Sequence, residues 1–580
     1  MKLSSEPSPT LIDRFLGLIE SVPGSDKFIL RVAFFVVIAA GIWLIFTINQ
    51  KYTEVTPTHG GSITEGIIGT PRFVNPALAS TRADQDATAL IYSGLMKISQ
   101  DGSLVNNIAE SINISEDGLT YNIILRKDVK FHDETPLSAR DVIYTIQLIQ
   151  DPDLKSPLRG NWNDVVIEEI SEYEFNIILE EAYAPFIENF TFGIMPAHAW
   201  SKLPIEQLPF SQLNTEPIGS GPFSVVDAER DTSGLINHYT LAAFRQNAEN
   251  PKIDTLKLAF FSNEEQLLTA IEEGEIDATS YISPEHIDSI IGDDFKLIEE
   301  ALPRSFGIFL NQNQSTILRD SKVRKALTLA LNRDAIIENS LFGHGVPISG
   351  PTAILQPEIE SSDVTDETST GTPKEQAIAI LEEAGWEFNE LGFWEKEIDD
   401  QPVTLSITLR TSNAPLFESL VNNIAEQWKE IGVEVTTEQF EQTGLVQSVI
   451  RPRDFQALLF GLDMSRSYDL YPFWHSSQQD DPGLNIAQYA NVTVDELLET
   501  ARTEQSEPTR HEALSEASGI ITEECPAIFL FQPTLTYIVS KEVTVAEMNN
   551  LGRPADRFTN VTEWHTESDS LWHLFRDDDM

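Results

Sequence analysis

The stretch "KFHDETPLSARDV" (Lys130–Val142) sets His132, Asp133 and Glu134 side by side, residue types that could hold a metal or move a proton. Their spacing argues against both. Consecutive side chains diverge on an extended or turning backbone, whereas ligands on one helix face need i, i+4 spacing, and no H-E-x-x-H follows. Asp133-Glu134 ahead of Pro136 reads as a turn feeding a helix, so the run is expected to be scaffold. The second candidate is "PIGSGPF" (Pro217–Phe223), the nearest the chain comes to a glycine-rich loop. It lacks the Lys of a phosphate loop, and Ser220 lies directly between two glycines, unlike a nucleophile elbow. A tight turn where two segments cross is the simpler reading. The 10 His are scattered, and carboxylates are too numerous for one pair to stand out. No catalytic residue, metal site or cofactor is expected, and the chain reads as a non-enzyme.

The elements around these stretches alternate in type. Glu116-Asp117-Gly118 is a hairpin cue between two extended runs. Ser138 with Asp141 forms a capping box, followed by Val142, Ile146 and Ile149 at helical spacing. "NEEQLLTAIEEGEIDAT" is a helix capped by Asn263 and stopped at Gly274, with a short strand expected over Ile276–Ala278. "DSKVRKALTLALNRDAII" places Val323, Ala326, Leu327, Ala330 and Leu331 on one helical stripe. In "TPKEQAIAILEEAGW" Thr372 caps, Pro373 opens the first turn, Glu375 closes the box and Gly385 ends the helix. "FESLVNNIAEQWKEIGVEV" reads as a helix through Ile431, a stop at Gly432 and a strand over Val433–Val435. "PEIESSDVTDETSTGT" (Pro357–Thr372) is expected to be a surface loop. Strands alternating with capped helices point to α/β lobes, and 580 residues suggest two or three domains.

Charge excludes a class of partner. Asp and Glu number 91 against 39 Lys and Arg, a formal charge of −52, and that field repels nucleic-acid phosphates. The acidity suits solubility in a salty medium, or steering of cationic ligands. Cys525 is the only cysteine, which excludes an intrachain disulfide and Cys-based metal sites. From Val32 to Gln50 the chain is uncharged and long enough to span a bilayer as a helix. Lys27 and Arg31 precede this run, so a signal anchor is expected, with the N-terminus cytoplasmic and the rest extracytoplasmic. "TLIDRFLGLIESV" ahead of it is amphipathic and could touch a partner or the membrane surface.

Eight stretches, in order, carry a resemblance. "GSLVNNIAESINISEDGLTYNIILRKDVKFHDETPLSARDVIYT" is the most specific; the others are "NPALA", "LIYSGL", "PIGSGPF", "EEGEIDA", "VRKALTLALNRDAII", "AIAILEEAGW" and "YANVTVDELLETA". Together they resemble the extracytoplasmic solute-binding proteins of ABC importers, family 5, the oligopeptide, dipeptide and nickel binders. The resemblance implies a two-lobed α/β fold of the periplasmic-binding-protein type II class with an inserted subdomain, which the apolar run read above would precede as a transmembrane helix. On that reading of the N-terminal residues, 1–27 would be cytoplasmic, 28–50 the anchor and 51–59 a tether. Residues 60–100, 217–310 and 524–561 would form lobe one, 101–216 its insert, and 311–523 lobe two.

By the same resemblance a peptide or other small solute would lie between the lobes against Asn75, Tyr92, Gly219, Ser220, Asp463, Asp469, Trp474 and Phe531. Asp463 or Asp469 would meet a free amine, although "FGLDMSRSYDLYPFWHSSQQ" departs from the usual Trp-x-Ala-Asp arrangement. Tyr468, Tyr471, Phe473 and Trp474 could line the cleft or pack a core. His475 could serve a metal chelate or be an ordinary satisfied histidine. The partners implied are permease subunits and the membrane, with the receptor a monomer. A membrane-tethered solute sensor and a secreted hydrolase are the competing readings.

Overall fold

The computed structural model describes residues 23–246, 250–352, 371–398 and 400–572. The amphipathic stretch Thr10–Val22 and most of the expected loop over Pro357–Thr372 lie outside them. The chain divides into two compact units, Met1–Thr58 with Glu567–Met580, and His59–Thr566.

In the first unit the helix Gly24–Tyr52 runs 29 residues and leaves Phe34, Phe35, Val37, Ile42 and Trp43 exposed. Among the described residues no helix is long and apolar enough to cross a membrane; the side chains of Ile45, Phe46 and 48–52 are not among those described. The helix leads into the strand Thr53–Pro57, which pairs antiparallel with Ser568–Trp572. The segment expected to be a tether therefore contains a strand, whose partner at the other end of the chain gives no local signal.

The second unit is built on a twelve-stranded sheet. One half holds Ser62–Ile68, flanked by Thr255–Phe261 and Ala278–Thr279, and extends through Ile236–Ala243 to Phe223–Arg230. The other holds Arg304–Leu310, Ala457–Asp463, Ser406–Ser412 and Glu434–Phe440. A single 14-residue strand, Ala527–Ser540, belongs to both. A separate four-stranded sheet made of Ala109–Ile114, Thr120–Leu125, Glu174–Ile178 and Val166–Ser171 is covered by the helix Ala139–Gln150. Val142, Ile146 and Ile149 of that helix are fully buried. Its apolar core is continuous with that of the first half, so the two bury one surface together. The second half has cores of its own.

Local signals place the elements well. The hairpin turns at Gly118, with φ of 70°, and Asp117 accepts from the Leu119 N–H. The capping boxes at Ser138/Asp141 and Thr372/Glu375 both form, and the Asn263 side chain accepts from the Gln266 N–H. The run from Asp320 to Ile337 differs. It forms two helices, Ser321–Leu329 and Arg333–Leu341, because the Asn332 side chain accepts from the Ala335 N–H and starts the second. All five residues of the expected stripe are nonetheless buried.

Candidate functional site

His132 and "PIGSGPF" meet in space. The Gly219 N–H donates to His132 Nδ1 at 3.2 Å, so Nε2 carries the proton and donates to the Gly221 carbonyl at 3.1 Å. Burial pushes the His132 pKa down to about 4, which keeps the ring neutral and the clip intact. Asp133 accepts from His198 Nε2 at 2.7 Å, and the Glu134 carboxylate accepts from the Gln246 amide at 3.1 Å. The loop in turn rides on the end of the helix Arg82–Ile91. The Gly221 N–H donates to the Ile91 carbonyl at 2.8 Å, and a Cβ at Gly219 would overlap that same oxygen. These are packing joints. Among the described residues no group of three or more His, Cys, Asp or Glu is placed to hold a metal ion.

The sheet's halves are joined where two chain passages run side by side. Phe295–Ala301 pairs with the C-terminal part of Ala527–Ser540, from Phe295↔Ser540 to Ala301↔Thr534. Arg304–Leu310 pairs with its N-terminal part, Phe306↔Phe531 to Phe309↔Ala527. Between them the Leu302 N–H donates to the Pro533 carbonyl at 3.0 Å, and the Gln532 amide donates to the Leu302 carbonyl at 3.3 Å. Pro303 and Pro533 have no N–H to add to a ladder, so pairing changes register here. The outward passage thus falls at Leu302–Pro303. Arg304–Leu310, which the resemblance would put in lobe one, pairs with Ala457–Asp463 of the second half.

A cavity of about 620 Å³ lies against these passages, within the size range of small-solute sites. Leu302, Arg304 and Pro533–Thr536 form its floor, Arg82 and Ser280 line it from the first half, and Asp463, Ser465 and Arg466 from the second. Glu188 and Arg466 also line a second cavity of about 500 Å³. Burial pushes the Glu188 pKa up to about 7, against the opposing charge of Arg466.

Beneath the cavity lies a buried ionic node. Arg557 donates to Glu65 at 2.8 Å and to Asp86 at 2.7 Å. The Tyr537 hydroxyl donates to Glu65 and the Tyr281 hydroxyl to Asp86, each at 2.8 Å. The Tyr281 ring in turn lies 4.1 Å from the Arg82 guanidinium. Two carboxylates around one guanidinium are what allow these charges to be buried at all.

The residues expected at the ligand separate into groups. Asp463 lines the cavity, where its carboxylate accepts from Arg304 Nε at 3.1 Å. Asp469 lines the second cavity and accepts from the Tyr183 hydroxyl and from Arg502. Tyr92 borders a small cavity of about 80 Å³ together with Arg553 and Asp556. The other five line neither of the two cavities described above. Asn75 is buried, its Oδ1 accepting from the Ala77 N–H at 2.9 Å, and Gly219 and Ser220 belong to the clip described above. Trp474 packs against Phe309, Tyr489 and Phe529, and Phe531 stacks on Phe306 at 4.9 Å; both serve cores, where large rings bury most area. His475 is buried under Tyr471, with Nδ1 2.8 Å from the Ser477 hydroxyl. Nothing local in the sequence marks the arginines of the cavity wall, Arg82, Arg304, Arg466 and Arg553.

A family profile, "Bacterial extracellular solute-binding proteins, family 5 Middle", matches residues 103–482. The chain belongs to family 5 of the bacterial extracellular solute-binding proteins. It is 28% identical over 509 residues to the oligopeptide-binding protein AppA of Bacillus subtilis, covering 84% of this chain and 88% of that one. It is 24% identical to the dipeptide-binding protein of Escherichia coli, covering 85% and 93%. The structure of Bacillus subtilis AppA with a nonapeptide matches with TM-score 0.63 at 26% identity, over 88% of this chain and 99% of that one. The unliganded open form of the murein tripeptide-binding protein MppA matches in fold with TM-score 0.71 at 18% identity, over 88% and 98%.

Proposed function

We propose that this family 5 protein is the membrane-anchored receptor of an ABC importer, capturing a peptide-like solute between its lobes and delivering it to the permease. Lobe one comprises the first sheet half with the insert of residues 101–216, lobe two the second half, and the passages at Leu302–Pro303 and Gln532–Pro533 are the hinge. One observation supports this reading above the rest: the 620 Å³ cavity is walled by both halves and floored by both passages. A solute touching both walls binds the closed form better than the open one, and that difference in affinity is all that closure requires. The exposed apolar side chains of the helix Gly24–Tyr52 support its role as anchor, holding a monomeric receptor at high local concentration near the permease.

The test uses the full chain in detergent, offered a peptide digest of a rich growth medium. Native mass spectrometry finds retained peptide mass, and small-angle scattering shows contraction on loading. Superimposable scattering curves and no retained mass would retire the reading. Carbonate washing of expressing cells tests the anchor, which predicts retention in the membrane pellet.

A further inference from the structure

Given the cleft as solute site, the charges on its wall narrow the solute's chemistry. In a chain with 91 acidic and 39 basic residues, Arg82, Arg304, Arg466 and Arg553 all line this one cavity, facing Glu188, Asp463 and Asp556. Two of the arginines are committed internally. Arg466 donates to Asp556 and to the Asn550 carbonyl, and Arg553 Nε donates to Asp556 at 3.1 Å. Among the described residues the Arg304 guanidinium reaches only Asp463, in a pair whose side chains are 42% and 58% exposed, so water screens it heavily.

Arg82 forms no ion pair among the described residues. Its Nη2 donates to the Ser280 carbonyl at 3.1 Å and hydroxyl at 3.0 Å, and its guanidinium lies over Tyr281, itself held by Asp86 and, behind it, Arg557. Nε and Nη1 have no acceptor among the described residues. A guanidinium fixed in place with open N–H donors is suited to a carboxylate, whose two oxygens accept in parallel.

Position makes the pair consequential. Arg82 starts the helix Arg82–Ile91 of the first half, and Arg304 starts the strand Arg304–Leu310 of the second. A group shared between them touches both lobes. Of the two aspartates that could have met an amine, Asp469 is engaged by Tyr183 and Arg502.

We propose that the cleft selects a carboxylate-bearing solute, and that Arg82 and Arg304 share this carboxylate as the anchor that draws the lobes together. The inference rests on the receptor reading above and is tested separately from it. Alanine oligomers of two to six residues are offered to the full chain in four terminal forms: free, N-acetylated, C-amidated, and both. Calorimetry is expected to show free and N-acetylated acids binding within a few-fold of one another, with the C-amides weaker by about tenfold or more. Arg82→Gln and Arg304→Gln each remove that preference while leaving the thermal midpoint unchanged, and Arg82→Lys restores part of it. Amides binding as well as acids, or an unchanged preference in both Gln variants, would overturn the carboxylate anchor and leave peptide capture standing. Binding of none of the four forms would overturn peptide capture itself.

Discussion

The Tyr183 hydroxyl donates to Asp469 Oδ2 at 3.1 Å, joining two chain segments 286 residues apart. Arg502 completes the contact, donating to the same oxygen at 2.9 Å while its guanidinium packs on the rings of Tyr183 and Tyr471. The carboxylate that the family resemblance offers to a ligand amine thus accepts from two groups of other chain segments.

That assignment separates two variants. Tyr183→Phe keeps the ring on Arg502 but removes a hydrogen bond to a charged group, worth about 1.5–3 kcal/mol at most. As a latch, the pair predicts that Tyr183→Phe and Asp469→Asn both enlarge the unliganded particle in small-angle scattering. An amine anchor predicts that only Asp469→Asn matters, and only for binding.

His132 gives the fold an acid-sensitive joint. Its pKa of about 4 lies below the ordinary value of 6.5, so between those limits the unfolded chain binds the extra proton. Stability is therefore fully present above pH 6.5 and falls as pH drops toward 4, by up to about 3 kcal/mol from this group. Urea unfolding at pH 7 and pH 4.5 should show a steeper loss in the wild type than in His132→Gln.

Glu188 has the opposite sign. With a pKa near 7, above the ordinary 4.5, its contribution is present at low pH and is lost as pH rises through 7. Glu188→Gln should then raise the thermal midpoint at pH 8, by the equivalent of up to about 3 kcal/mol before solvent screening. The advantage should vanish at pH 4.5.

Two glycines provide a matched steric pair. Gly219→Ala drives a Cβ into the Ile91 carbonyl and should destabilise by about 3 kcal/mol or more, or abolish soluble yield. Gly160 has open space around it, in the short helix Arg159–Trp162. Gly160→Ala should leave the midpoint unchanged or raise it by the equivalent of about 0.5–1 kcal/mol. Parallel thermal melts check both.

What the sequence could show follows from the range of each interaction. Caps such as Ser138/Asp141 are settled within one helical turn, and the alternation of strands with capped helices separates an α/β fold from other classes. The break at Asn332 is hard to read because apolar residues resume only a few positions on, at Ile336 and Ile337. Trp474 and Phe531 are ambiguous in the sequence because an aromatic in a core and one in a cleft have the same local signature. Arg82 was missed for a third reason: its partner Ser280 is 198 residues away, and a lone arginine beside a helix start announces nothing. The passage at Leu302–Pro303 likewise depends on which strands pair, a property of the assembled sheet.

The two passages are adjacent rungs of one ladder, tied through Leu302 and Pro533. As the proposed hinge, such a spine would yield to flexing more readily than to shear or torsion, as the spine of a book does. Guests of different bulk would then be met by different opening angles of unchanged pages, and tolerance toward cargo would need no remodelling of either wall.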